Sequence, residues 1–131
     1  MKKDIPVHQV SEVGIAIVPD FQENISEIFV INSKNQPLTD ILICSRAFGE
    51  IEGKKIETST LRYHLKSLES ERSVRFEMIE NDLLEISNEY WISFFMDGYM
   101  YDRKIVFVPG TISLDFFTDI PFTDKKGIMI I

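Results

Sequence analysis

A chain of 131 residues has the usual size of one domain and is long enough to bury a hydrophobic core without disulfides or structural metals. Its single cysteine, Cys44, excludes an intramolecular disulfide framework, which favours a reduced, cytoplasmic setting. The net charge of −7 repels the phosphate backbone of nucleic acids, so we expect no nucleic-acid partner.

The N-terminal region does not predict membrane targeting. Residues 1–8 contain two lysines but continue with polar and acidic residues where a signal peptide needs an apolar stretch of about 7–15 residues. The first apolar run, residues 14–18, is far shorter than the roughly 20 residues that span a bilayer. We therefore expect no membrane partner.

Short apolar runs predict most of the strands. Residues 14–18, 28–31 and 41–44 are rich in Ile and Val, and polar or turn-forming residues follow the first two runs. Residues 74–78 and 112–116 alternate between apolar and polar side chains, as in strands with one face exposed to solvent. No repeat or linker divides the chain, so we expect a single domain over 1–131.

The clearest local signal is Asp97-Gly98 between two apolar runs. This pair suits the positive φ angles of a two-residue hairpin turn. The turn predicts that residues whose numbers sum to 195 face each other, as Trp91 does with Lys104.

Two segments fit more than one structure. Residues 60–68 match both a strand period and a helix stripe, and we favour a strand joined to 74–78 by a turn at 69–73. Residues 81–88 predict one or two helical turns ended by Asn88. The overall prediction is an all-β antiparallel sandwich of about seven strands with at most one short helix. The alternative is an α+β fold with one helix near 58–70.

Several predicted strands are apolar on both faces. Residues 28–31, 41–44 and 105–108 are apolar throughout, and only Ser93 interrupts 91–96. We place these four segments in one sheet. Its outer face is then covered by the chain itself, through 81–88 or the C-terminal 127–131, or it binds a protein partner or a second copy in a homodimer.

Residue types that support catalysis are sparse. The two histidines, His8 and His64, are far apart in sequence, and Cys44 lies in an apolar strand, where a buried thiol is usually inert. Neither a nucleophile motif nor a glycine-rich phosphate loop is present. We therefore expect no enzymatic activity, no metal site and no cofactor.

Two surface features suggest ligands. If residues 61–66 form a strand, Arg62, His64 and Lys66 share one face, and Arg75 on the next strand extends a basic patch for an anion. The plainer interpretation is cross-strand pairing of these bases with Glu57, Glu69 or Glu77.

The second feature is the aromatic hairpin over residues 90–101. Its large side chains form a predicted interaction or ligand surface, although core packing and a cation–π pair between Trp91 and Lys104 are alternatives. A small ligand such as a sugar would stack on these rings. The predicted residues are Trp91, Phe95, Tyr99, Met100 and Tyr101.

The run 76–86, followed by the strand at 90–96 and the alternating segment 112–116, resembles an uncharacterised β-sandwich domain that accompanies Smr domains in some bacterial proteins. The resemblance covers roughly residues 27–131. It implies a sandwich without a known activity of its own that serves as an accessory or interaction domain. The Smr part is absent from this chain, so the resemblance carries over neither a nucleic-acid function nor any functional residue.

The leading prediction is therefore a non-enzymatic, cytoplasmic β-sandwich that acts through protein association. The alternative is a small-ligand or carbohydrate-binding module that uses the aromatic hairpin.

Overall fold

The structure is a computed structural model that describes residues 11–131. Residues 1–8, and with them His8 and the targeting prediction, lie outside the described part. Within it are ten strands and two short 3-10 helices, Asn81–Glu85 and Leu114–Phe116. The strands are β1 Val13–Asp20, β2 Ile25–Asn32, β3 Leu38–Ile51, β4 Lys54–Glu57, β5 Leu61–Leu68, β6 Arg72–Glu80, β7 Ser87–Met96, β8 Tyr99–Phe107, β9 Thr118–Asp119 and β10 Lys126–Ile130.

The strands form two packed antiparallel sheets, which confirms the all-β sandwich. The first sheet has the order β6-β2-β1-β10-β9. The second has the order β4-β3-β7-β8, and β5 pairs with β3 beside β4. The alternative helix near 58–70 is wrong, because β5 occupies that segment and turns Tyr63 and Leu65 toward the core.

The core lies between the sheets and is built from apolar side chains of both. Ile15, Ile17 and Ile28 from the first sheet pack with Ile43 and Ile92 from the second, and all five are fully buried. The β7–β8 hairpin has the predicted register, with Trp91 opposite Lys104, and its turn residues Asp97 and Gly98 have φ angles of 53° and 78°. The helical turn predicted near 81–88 is the 3-10 helix Asn81–Glu85, but Asn88 does not end it, because Ile86 is its C-cap and Asn88 belongs to β7.

One predicted strand is wrong. Residues 112–116 do not form a strand. Ser113 caps the 3-10 helix Leu114–Phe116 by accepting a hydrogen bond from the Asp115 amide, a local bond that competes with strand pairing. The turn predicted at 69–73 does join β5 to β6, and it carries the chain from the second sheet to the first.

The doubly apolar segment 28–31 lies in the first sheet, not in the sheet of 41–44, 91–96 and 105–108. Its outer side chains Phe29 and Ile31 are buried against Ala16 and Ile120. Ile120 belongs to the connection between β9 and β10, so the chain itself covers this face. Residues 127–130 are part of β10 within the sheet and do not form a lid over it.

Candidate functional site

The outer side of the second sheet carries a band of partly exposed apolar residues, which we call the outer apolar face. Along β7, Ile92, Phe94 and Met96 enter the core, while alternation turns Trp91 and Phe95 outward, as predicted. Register pairs Trp91 with Cys44 and Phe95 with Met100. The outer apolar face consists of Leu42, Cys44, Trp91, Phe95 and Met100, and the exposed fractions are 40% for Leu42, 46% for Trp91, 41% for Phe95 and 52% for Met100.

Cys44 is not buried in the core, contrary to the prediction. It pairs with Arg62 on one side and with Trp91 on the other, and its side chain is partly accessible. Its neighbours Ile43 and Ser45 face the core instead. The apolar run 41–44 therefore distributes its side chains between the core and the outer apolar face.

The basic residues of β5 border this face. Arg62 and His64 share register rows with Cys44 and Leu42, and alternation places Lys66 on the same side. These three residues form what we call the basic edge. His64 lies 3.7 Å from the carboxylate of Asp40, whereas Arg62 and Lys66 form no ion pair with another described residue.

Arg75 does not join the predicted anion patch. It lies on β6 in the first sheet, opposite Phe29, and its guanidinium contacts the carboxylate of Glu27 at 2.9 Å. Arg62, His64 and Lys66 are therefore together, while the fourth predicted member lies on the other side of the molecule.

A network of ion pairs lies at one end of the outer side of the second sheet. Arg46 donates to Glu89 at 2.9 Å, and Lys104 contacts the same carboxylate at 3.2 Å. The hydrogen bond from Arg46 lowers the pKa of Glu89, and the reciprocal bond raises the pKa of Arg46. Lys104, which the alternative interpretation of the hairpin placed in a cation–π pair with Trp91, thus forms an ion pair with Glu89. Arg46 also lies over the ring of Phe48.

The aromatic residues of the hairpin do not form one platform. Tyr101 pairs in register with Phe94, and their rings stack at 5.4 Å on the core side of the sheet. Tyr99 pairs with Met96 and has the same orientation. Trp91, Phe95 and Met100 point to the opposite side. The single stacking surface expected for a sugar is therefore divided between two faces.

A second candidate lies between the sheets and was not predicted. A cavity of about 280 Å³ opens at the corner where β6 of the first sheet meets β3 and β7 of the second. Glu77 lines it and is only 8% exposed. We call this the Glu77 cavity. Its other lining residues include Ser45, Ala47, Thr58, Ser59, Leu61, Ile79, Glu80, Leu83 and Tyr90.

A β-bulge turns Glu77 inward. Arg75 pairs with Phe29 and Glu77 with Ile28, so Phe76 is an extra residue in the ladder. Strict alternation over 74–78 predicts that Glu77 is exposed and Met78 is buried. The bulge reverses both, since Met78 is exposed and Glu77 is buried. A bulge depends on the partner strand, so the sequence of β6 alone did not indicate this site.

Hydroxyl groups surround the Glu77 carboxylate. The Ser45 hydroxyl donates to Oε2 at 2.6 Å, and the Tyr63 hydroxyl donates to the same oxygen at 2.7 Å. Burial, with the hydrogen bond to Glu77 and its charge, raises the pKa of Tyr63 to about 12. The pKa of Tyr90 is raised well above its ordinary value, mainly by burial and then by the same carboxylate. Both phenols are therefore neutral donors at neutral pH.

Within residues 11–131, no group of three or more His, Cys, Asp or Glu side chains is arranged to hold a metal ion. No helix in the same range is long and apolar enough to cross a membrane.

Comparisons with protein-family models, with curated proteins and with solved structures found no match. The resemblance to the domain that accompanies Smr domains stays a prediction.

Proposed function

We propose that this chain is a non-enzymatic, cytoplasmic association module in which two copies pack through the outer apolar face. The observation that carries the proposal is the contrast between the two sheets. In the first sheet the outward side chains Phe29 and Ile31 are buried with Ile120, whereas Trp91 and Phe95 on the second sheet stay about half exposed among the described residues. Burying exposed apolar surface in an interface favours association by about 25 cal/mol for each Å² removed from water.

The composition of the face supports protein contact. Trp91 and Phe95 are aromatic, and large aromatic side chains supply much of the binding energy at protein interfaces. Both lie on β7, an internal strand of the second sheet paired on both sides, so they are held on a rigid support. Rigid aromatic side chains lose little conformational entropy when a partner binds.

Charge complementarity favours a second copy as the occupant. The basic edge lies on β5, on one side of the face, while Asp102 lies on β8 at the other side, in the row of Leu42 and Ser93. In the described part of the chain, Asp102 forms no ion pair. A two-fold axis parallel to the strands and midway between β3 and β7 places β5 of each copy over β8 of the other. His64 of each copy then lies over Asp102 of the other, and the unpaired Arg62 and Lys66 lie one outward-facing row to either side of it, so the contact occurs twice, as an isologous interface requires.

The test is the mass in solution by sedimentation velocity over a range of micromolar concentrations. We expect a species of twice the 15.2 kDa chain mass. Replacing Trp91→Ser and Phe95→Ser together removes the central aromatic contacts and weakens association by about 30-fold or more, since loss of a central aromatic contact costs about 2 kcal/mol. Met78→Ser, an exposed apolar residue of the first sheet, is the matched control and leaves the mass unchanged.

A charge exchange tests the orientation of the two copies. Asp102→Arg places like charges against the basic edge and weakens the dimer, and the further change Arg62→Asp restores it. Circular dichroism verifies that each variant is folded. A monomeric mass for the native chain at every concentration overturns the proposal, as does a dimer that Met78→Ser disrupts and the face variants do not.

A further inference from the structure

The Glu77 cavity combines a carboxylate with an apolar lining. Ala47, Leu61 and Leu83 contribute apolar surface, and the carboxylate of Glu77 lies at the inner end beside Tyr90. A volume of about 280 Å³ is at the lower limit for ligand pockets, which usually measure about 300–1,000 Å³. The space therefore suits a small molecule with a short apolar body.

The charge of Glu77 is not matched by a basic side chain. Its described partners are hydroxyl groups of Ser45, Tyr63 and Tyr90, and it forms no ion pair with a residue in the range 11–131. Buried charges in proteins are normally paired, because leaving one unpaired away from water is costly.

The one basic residue that lines the cavity is engaged elsewhere. The Arg46 side chain donates to Glu89, contacts Glu57 at 3.4 Å and stacks on Phe48 at the outer side of the second sheet. A second carboxylate, that of Glu80, also lines the cavity. Among the described lining residues, the cavity thus has two acidic side chains, and the one basic side chain, that of Arg46, is bound in another network.

Aromatic rings stand behind the carboxylate. Tyr63 and Tyr90 each pack edge-on against Phe76, with ring centroids 5.3 and 6.1 Å apart. Of these three rings, only that of Tyr90 belongs to the described cavity lining, so the edge-on contacts hold the Tyr90 side chain beside the carboxylate.

We propose that the Glu77 cavity binds a small organic cation, namely a protonated primary amine whose short alkyl body fills the apolar part of the cavity. The ammonium group pairs with Glu77 and donates to its carboxylate, while the alkyl chain contacts Leu61, Ile79 and Leu83. Both phenols are neutral at neutral pH, as tyrosine side chains ordinarily are, so they hold the carboxylate in place as hydrogen-bond donors. This site is independent of the outer apolar face.

The test compares three probes of similar size by NMR titration of the native protein at neutral pH: n-butylamine, which is protonated, 1-butanol, which is neutral, and butyrate, which is an anion. We expect saturable shifts at Ser45, Leu83 and Tyr90 with butylamine. Butanol binds at least tenfold more weakly, and butyrate does not bind. This comparison needs no variant and therefore does not depend on the folding of a mutant.

Two variants test whether the charge of Glu77 is responsible for amine binding. Glu77→Gln keeps the shape and removes the charge, so butylamine affinity falls at least tenfold to that of butanol. Glu85→Gln removes a nearby carboxylate outside the cavity lining and leaves butylamine binding unchanged. Equal affinity for butylamine and butanol, or no saturable shift with butylamine at millimolar concentration, overturns the proposal. The mass of the protein reports separately on association.

Discussion

Hydroxyl groups, and no described basic side chain, hold the carboxylate of Glu77 between the sheets. Ser45 and Tyr63 donate to the same oxygen of Glu77. Both hydroxyls are therefore removed from water but keep a hydrogen bond, and its acceptor is charged. Hydrogen bonds to a charged group are roughly twice as strong as neutral ones. The cluster therefore joins β6 of the first sheet to β3 and β5 of the second, provided that the phenols keep their protons.

The first prediction concerns high pH. The pKa of Tyr63 is about 12 in the folded state against about 10 in an unfolded chain. Below about pH 10 the phenol is neutral in both the folded and the unfolded state. Between about pH 10 and pH 12 the unfolded state releases this proton and the folded state keeps it, so the free energy of unfolding falls as pH rises. Tyr63→Phe keeps the ring and makes this decline shallower.

The measurement is the free energy of unfolding by denaturant titration between about pH 8 and pH 12, with the phenolate absorbance followed in parallel. The variant should also lose one late-ionising phenol from the absorbance titration. An identical decline for the native chain and for Tyr63→Phe would refute the assignment.

Period-two alternation predicted correctly for some side chains, and not for others, whether they point to the core or to the outer side of the sheet. It turned Trp91 and Phe95 outward correctly, because β7 is paired on both sides and is regular. For Cys44, an all-apolar run gave no indication of which side faces the core. For Glu77, the alternation was clear but the bulge at Phe76 reversed it.

At the scale of strands, local chemistry decided what the sequence could predict. Asp97-Gly98 fixes the β7–β8 register by itself, since the turn conformation sets the pairing. The partner of segment 28–31 is set by long-range packing, so its assignment to the other sheet was not visible in the residues. The alternating run 112–116 has no partner strand among residues 11–131, and its end, Leu114–Phe116, forms a capped 3-10 helix.

The β1–β10 pair makes a close backbone approach that only glycine allows. A Cβ atom on Gly127 would overlap the carbonyl oxygen of Ile17 in β1. We expect Gly127→Ala to lower the free energy of unfolding by about 2 kcal/mol or more, as overpacking does when the neighbour is backbone.

Gly53→Ala, in the turn between β3 and β4, is the matched control for that substitution. Gly53 has a φ of 78° but open space around its Cα, so only backbone strain of about 1 kcal/mol is expected. Denaturant unfolding of both variants measures the difference. Equal losses would contradict the close approach of β10 to β1.

At the scale of the molecule, the two sheets differ on their outer sides. The connection that carries Ile120 returns across the first sheet and buries Phe29. In the described chain the second sheet has no such cover over Trp91 or Phe95, and its borders carry the basic edge on one side and Asp102 on the other. The excess of apolar residues in the sequence is thus explained within the chain at the first sheet, and at the second sheet we propose an intermolecular contact.

The most direct test uses the only cysteine, Cys44, which is partly accessible within the outer apolar face. The rate of its reaction with a thiol reagent is measured as a function of protein concentration, for the native chain and for the Trp91→Ser, Phe95→Ser variant. Association through this face predicts that the native rate falls at least tenfold from dilute to concentrated protein while the variant stays fast. A native rate that is fast and independent of concentration would contradict the account.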